Sequence, residues 1–456
     1  MLLRSAKHQK PVKSGRAVKG HGEAMAGSGR DEAKLSRHEH EGLGRNDLLE
    51  QAFARANMVK AWKRVKTNGG SAGVDGLTIE ETMESLKIDW PRIKEELLEG
   101  RYRPVPVRRV QIPKAGGGQR ELGIPTVTDR LIQQALLQVL EPMIDPTFSD
   151  SSYGFRPGRS AHGAVLQAQQ YVQEGYGVVV DVDLEKFFDR VNHDILMERL
   201  SRRVSDKRVL RLIRRYLEAG IMDGGVVIER HEGTPQGGPL SPLLANALLD
   251  EVDRELEERG HKFVRYADDC NVYVRSQKAG ERVLKSLRKL YGKLHLKVNE
   301  TKTSVGSACG RKFLGYSLWK APGKEIKRTV SKQSMKTFKD RIRQKTRRTR
   351  GRSMEEVIGD LRGYLLGWKA YYGLAQIPGK LRELDSWVRH RMRAMQLKHW
   401  RRGRTMYREL RKLGATHEQA ACIAANARRW WHNSKMMLHR VMDTAYFDRL
   451  GLPRLS

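Results

Sequence analysis

Two adjacent carboxylates set between two runs of β-forming residues constrain this chain more than any other stretch. They lie in Phe263-Val264-Arg265-Tyr266-Ala267-Asp268-Asp269-Cys270-Asn271-Val272-Tyr273-Val274. The pattern predicts a strand, a tight turn and a second strand. Such a hairpin tip brings two like charges together, and they call for a counter-cation. Mg²⁺ suits them, because it prefers carboxylate and phosphate oxygens. Taken alone, a Tyr-x-Asp-Asp string also fits an ordinary surface turn.

A second acidic strand adds weight. Residues 177–184 run Gly-Val-Val-Val-Asp-Val-Asp-Leu, followed by Glu185-Lys186-Phe187-Phe188-Asp189. Val180, Val182 and Leu184 alternate with Asp181 and Asp183, so both acids share one face. An unpaired carboxylate on a central strand is costly. Metal ligation would account for it, and so would an edge strand with solvated acids. Two-metal phosphoryl transfer brings carboxylates from separate strands onto ions roughly 3.5–4 Å apart. A third segment, Thr234-Pro235-Gln236-Gly237-Gly238-Pro239-Leu240-Ser241-Pro242-Leu243, predicts a Gly-rich loop entering a helix, with Ser241 as its cap and Pro242 at its first position. Its glycines would let a backbone approach a base pair or sugar closely.

In this order the segments resemble the reverse transcriptases encoded by bacterial group II introns. Further parts of the resemblance are Ile112-Pro113-Lys114…Arg120, Tyr153-Gly154-Phe155-Arg156-Pro157-Gly158-Arg159-Ser160, Leu296-Lys297-Val298-Asn299-Glu300-Thr301-Lys302-Thr303 and Phe313-Leu314-Gly315-Tyr316-Ser317. It runs from about residue 50 to the C-terminus. It implies an α+β fold: a right-hand polymerase fingers-palm domain, then an all-α basic thumb (domain X) and a short C-terminal DNA-binding segment. The corresponding divisions are a disordered basic extension over 1–45, fingers-palm over 46–325, thumb over 326–400 and a helical DNA-binding segment over 401–456.

The resemblance also implies the site. Asp183-Leu184-Glu185-Lys186-Phe187-Phe188-Asp189 aligns with the family pattern Asp-Ile-x-Gly-x-Phe-Asp, which makes Asp183 a metal ligand and Asp181 the residue two before it. Asp268 and Asp269 supply the other catalytic carboxylates for two Mg²⁺ ions, and the carbonyl of Leu184 completes the coordination of the nucleotide-bound one. Lys114 and Arg120 neutralise the triphosphate of an incoming deoxynucleotide. Phe188 blocks a ribose 2′-hydroxyl, while Phe187 belongs to the core. Gln236 and Gly237 shape the floor under the templating pair, and Tyr266 supports the primer end. The implied partners are group II intron RNA, a DNA target, an RNA template with its primer, and deoxynucleoside triphosphates. A maturase of this kind binds the intron RNA and steadies its splicing-competent fold, and a polymerase of this kind copies the intron at its target.

Composition agrees with a polyanionic partner. The 456 residues hold 87 Lys and Arg against 53 Asp and Glu, a net +34. Residues 331–456 hold 30 of those cations and 10 of those acids, so +20 of the charge lies in that last stretch. There, Tyr364, Trp368 and Tyr372 fall at i, i+4 and i+8, a spacing that predicts core packing. Thr416 and Gln419 form a capping-box pattern, and the helix it starts is expected to run into Arg428-Arg429-Trp430-Trp431. Cations interleaved with aromatics there can clamp phosphates and stack bases, or frame a buried tryptophan pair. Asn68 to Gly76 predicts a flexible loop. Cys270, Cys309 and Cys422 are far apart and form no Cys-x-x-Cys pair, which argues against a zinc site or disulfide framework. No apolar run approaches about 18 residues, so a cytoplasmic, non-membrane protein is expected, on the nucleoid when engaged on DNA. No paired cysteine ligands follow Trp431, so the chain resembles the shorter class-C type that lacks an endonuclease module. Two other readings stay open: a reverse transcriptase domesticated for repair or defence, and an RNA-binding splicing factor without polymerase activity.

Overall fold

The computed structural model describes residues 47–113, 118–223, 226–228, 232–234, 237–348, 351–435 and 437–456. The extension expected over 1–45, Lys114, Gln236 and the side chain of Arg120 lie outside the described residues.

The chain opens with α1 (Leu48–Ala52), α2 (Arg55–Asn68) and α3 (Ile79–Leu98), a hairpin of β1 (Val107–Pro113) and β2 (Gln119–Ile124), then α4 (Val127–Ile144) and α5 (Ala161–Gln173). Next come β3 (Val178–Val182), α6 (His193–Ser201), α7 (Lys207–Glu218), β4 (Ile221–Asp223) and β5 (Val226–Ile228). Helix α8 (Ser241–Glu258) leads into β6 (Lys262–Tyr266) and β7 (Asp269–Val274), followed by α9 (Gln277–Lys293), β8 (Ser304–Ser307), β9 (Lys312–Phe313), β10 (Tyr316–Lys320) and β11 (Ile326–Val330). Beyond these lie α10 (Lys332–Lys345), α11 (Met354–Tyr372), α12 (Pro378–Trp400), α13 (Gly403–Lys412), α14 (His417–Ala425) and α15 (Trp430–Lys435), with two further short helices.

The architecture is α+β, as the resemblance implies. Strands β6, β7, β3 and β8 form an antiparallel sheet in that order. β3 therefore sits inside the sheet, and the edge-strand reading of its acids does not apply. Its alternation sorts the two faces. Val180, Val182, Cys270 and Val272 are fully buried in a cluster shared with Leu248 of α8 and Leu287 of α9. Truncating a side chain such as Leu287 to alanine would cost about 2–5 kcal/mol. Val179 and Tyr273 turn the other way and pack with Ala164 and Ala168 of α5. A second sheet, ordered β2-β1-β4-β5, lies towards the N-terminal side of the chain.

β9, β10 and β11 form a third sheet, so the division expected at residue 325 falls inside it and the helical region takes up at Lys332. One hydrophobic cluster runs from Val330 to Leu455, across the division expected at residue 400. The aromatic stripe packs as the spacing predicts: Trp368 is buried, 4.6 Å from the rings of both Phe338 and Tyr372. Its neighbours also tie the helical region to the sheets. The carbonyl of Tyr371 accepts from the Tyr316 hydroxyl and lies 2.6 Å from His162 Nε2, while the Tyr371 hydroxyl donates to Leu314 O at 2.7 Å.

Three local expectations change. The Asn68–Gly76 loop is tethered, because Arg130 Nη2 donates to Ser71 O at 2.9 Å and Gly73 packs on the backbone of Thr126. Helix α8 opens with Ser241 already inside its first turn, and Leu240 sits at the cap position without a side-chain bond. The Thr416–Gln419 capping box is formed, but α14 stops at Ala425 and a separate helix begins at Trp430.

Candidate active site

The acids come together through strand register. Asp181 of β3 faces Asn271 of β7, and Val182 faces Cys270. One more step along this ladder carries Asp183 alongside Asp269, on the same face. Tyr266 pairs with Asp269 across the β6–β7 hairpin, leaving Ala267 and Asp268 as its turn. Ala267 takes a left-handed φ of 56°, a region unusual for a residue other than glycine. Gly154 makes room for that turn, because a Cβ on it would collide with Ala267 N.

The segment 297–303 fixes Asp183 from the other side. Asn299 N donates to Asp183 O at 2.8 Å, and Asp183 N donates to Thr303 Oγ1 at 3.2 Å. Leu184 bridges Val298, and the two hydrogen bonds of that bridge run from Glu185 N to Lys297 O and from Asn299 N to Asp183 O. Neither engages the carbonyl of Leu184. Lys302 Nζ lies 2.8 Å from Asp183 Oδ2. This pairing, with the charges of Asp269 and Asp268 beyond it, raises the affinity of the amine for its proton. Nothing in the local pattern around Lys302 marks it for this contact, because Asp183 lies more than a hundred residues before it.

The electrostatics of the cluster favour a cation. Asp269 is exposed as a residue at the start of β7, yet the protein atoms around its carboxyl first, and then the charges of Asp268, Asp183 and Asp181, push that group up to about 6. Burial also raises Asp181, against the pull of Arg311 at 4.0 Å and with the push of Asp183. Like-charged carboxylates near one another disfavour ionisation, and the ammonium of Lys302 supplies part of the missing positive charge. Among the described residues, no three His, Cys, Asp or Glu side chains converge on one point as they stand.

Phe187 is buried and Phe188 half-buried, their ring centroids 5.1 Å apart. The carbonyl of Phe188 accepts from Thr234 N at 2.7 Å, and Gly233 N donates to Val191 O at 2.8 Å, so the limb before the Gly-rich loop is stitched to the Phe188 turn. Gly237 has φ 139°, and a Cβ on it would fall 2.7 Å from Gly123 O. Gly238 is likewise pressed against the Gln133 side chain. Gly237 is thus required by a contact with the protein's own backbone, whereas at Gly238 the neighbour is the end of a side chain. Tyr266 is half-buried, its ring 6.4 Å from that of Phe155.

Away from the acids, Arg428 and Arg429 are exposed and Trp430 is half-buried. Trp431 is 45 % exposed, so the two tryptophans do not form a buried pair. Trp430 lies under Lys398 and Arg348, at 5.2 and 5.7 Å from its ring centre, and Trp387 lies under Arg391 and Arg343. No helix among the described residues is long and apolar enough to cross a membrane.

Residues 112–318 match the family described as reverse transcriptase (RNA-dependent DNA polymerase), and residues 335–414 match the group II intron, maturase-specific domain. The chain is similar to protein YkfC of Escherichia coli, with 35% identity over 286 residues, covering 54% of this chain and 75% of that protein. It is also similar to the group II intron-encoded protein LtrA of Lactococcus lactis subsp. cremoris, with 31% identity over 329 residues, covering 56% of this chain and 55% of LtrA. The putative COX1/OXI3 intron 1 protein of Saccharomyces cerevisiae is 27% identical over 354 residues, covering 65% of this chain and 42% of its own length. The chain thus spans three quarters of YkfC and about half of LtrA.

Proposed function

Because this chain belongs to the group II intron reverse transcriptases that carry a maturase-specific domain, we propose that it is an RNA-directed DNA polymerase and an intron RNA-binding maturase. As a polymerase it would copy the intron RNA at a DNA target by target-primed reverse transcription. As a maturase it would hold the intron RNA in its splicing-competent fold. The observation that carries the polymerase reading is the placement of β3 and β7 side by side with Asp183 and Asp269 on one face and Asp268 at the adjoining turn.

Asp183, Asp268, Asp269 and the carbonyl of Leu184 would hold two Mg²⁺ ions together with the phosphates of the incoming nucleotide. Bound there, Mg²⁺ would lower the pKa of a primer 3′-hydroxyl and offset charge on the triphosphate and the departing pyrophosphate. The protein's own work is alignment. Lys114 and Arg120 would grip the triphosphate, Phe188 would press on C2′ of the sugar, Gln236 and Gly237 would lie beneath the templating pair, and Tyr266 would support the primer terminus. Intron RNA and target DNA would run along the basic helical region, with Arg428, Arg429 and Trp430 among the contacts.

Primer extension on an RNA template with Mg²⁺ and deoxynucleotides, comparing the wild type with Asp268→Ala, tests the reading. Synthesis by the wild type and none by the variant is expected, with structured RNA bound equally by both. Synthesis retained in Asp268→Ala would remove Asp268 from the metal set. Absence of synthesis in both, with RNA binding intact, would favour a splicing factor without polymerase activity.

A further inference from the structure

Within β6 the buried stretch Phe263-Val264-Arg265 includes one charged residue, and it has no role in the acid cluster described so far. Arg265 is fully buried, and so is Asp253 of α8, with which it pairs. Arg265 Nε donates to Asp253 Oδ1 at 2.8 Å and Nη2 donates to Oδ2 at 2.5 Å. Nη1 faces the other way. It donates to Asn246 Oδ1 at 2.8 Å and to the carbonyl of Ala267 at 3.0 Å. Asn246 Nδ2 then donates to Gly154 O at 2.9 Å, and Gly154 lies against the Ala267 amide. The Arg265 backbone also joins in, because its N–H donates to Ser151 O at 2.9 Å and its carbonyl accepts from Tyr153 N at 2.8 Å. The guanidinium thus links α8 to the left-handed turn that carries Asp268, while the Arg265 backbone and Asn246 tie in the segment 151–154.

We propose that Arg265 is a positioning residue for phosphoryl transfer: its guanidinium, oriented by Asp253 and Asn246, fixes the Ala267 turn and with it the reach of the Asp268 and Asp269 carboxylates. The inference rests on the polymerase reading above. Folding alone is a poor reason for the pair. A buried ion pair replaced as a unit by apolar residues of similar volume often leaves stability unchanged or improved, whereas removing one partner strands a buried charge. What an apolar pair cannot reproduce is the donor to Ala267 O. A planar fork can serve Asp253 on one edge and the turn on the other, and a lysine ammonium cannot span both.

The test uses the full chain with the paired change Arg265→Met and Asp253→Leu, and separately Arg265→Lys. Three quantities are read: the thermal midpoint, kcat and KM for primer extension, and the affinity for Mn²⁺ as a paramagnetic probe of the acids. The paired variant is expected to melt near the wild type and bind structured RNA equally. Its kcat and its Mn²⁺ affinity should both fall by about 10–100-fold, the usual cost of losing a group that orients metal ligands, while KM for the nucleotide changes little. Arg265→Lys keeps the charge next to Asp253 and should recover only part of the loss; it also decides the matter if the paired variant does not fold. Wild-type Mn²⁺ affinity in a folded variant overturns the inference, whether or not the wild type polymerises. A wild type that binds Mn²⁺ but makes no DNA on any template sinks the polymerase reading instead, and leaves the Mn²⁺ comparison to judge Arg265.

Discussion

Asp269 lies where three other acids press on it, and that sets how the site should answer to pH. Its carboxyl is held up to about 6 by crowding and by Asp268, Asp183 and Asp181. The folded chain therefore holds this proton more tightly than the unfolded chain does, to the extent that solvent at this exposed residue allows. That contribution to stability is complete below the ordinary aspartate value of about 3.9 and is lost as pH rises through about 6. A cation that binds the ionised carboxylate competes with this proton. Mg²⁺ should then raise the thermal midpoint little at about pH 5 and fully at about pH 7.5, with the step near 6. In Asp269→Asn the step should vanish; a step that persists belongs to another group. At Phe188 the question is size. Phe188→Ala should let ribonucleotides in, measured as the ratio of kcat/KM for deoxynucleotides over ribonucleotides, and an unchanged ratio would put the sugar gate elsewhere. The acids were legible because strand alternation is written in neighbouring letters. Arg265 was not. It interrupts a run of β-formers, and its partner Asp253 sits twelve residues away on a helix, where no local pattern joins the two.

Elements show a similar divide between local and distant causes. The capping box at Thr416, the aromatic stripe of α11 and the strand pair β6–β7 each follow from residues close in sequence, and each formed as read. The Asn68–Gly76 loop looked mobile from its glycines, yet Arg130 on α4, more than fifty residues on, takes up its carbonyls. Gly237 is the clearest case. Its letter suggested a backbone brought close to a base pair, whereas its φ of 139° and its contact with Gly123 O demand glycine even with no nucleic acid bound. Gly237→Ala should cost roughly 1–3 kcal/mol of stability, as overpacking a close contact does, read as a lower thermal midpoint of the free protein. An unchanged midpoint with a raised KM for nucleotide would return the glycine to the floor of the templating pair.

At the scale of the whole molecule, a net +34 has to be held by something, and the helical region shows where. Arg343, Arg348, Arg391 and Lys398 gather around Trp387 and Trp430, brought together from α10, α12 and the loop between α10 and α11. Burial first, then the charges of Arg343 and Arg348, make the Arg391 guanidinium easier to deprotonate than usual. The composition announced the charge but not this cluster, because its members are separated by whole helices. Like charges gathered over aromatic faces are relieved by phosphates. Each phosphate contact contributes to the salt dependence of nucleic-acid binding, about 0.7 in the slope of log K against log salt for single strands and about 0.9 for duplex. Arg391→Gln combined with Lys398→Gln should therefore weaken binding to structured RNA at low salt and flatten the slope by roughly 1.5. Arg428→Gln with Arg429→Gln offers the comparison at exposed positions. A slope that the first pair leaves untouched, while the second pair lowers it, would move the RNA contact off Trp387 and onto the segment before α15.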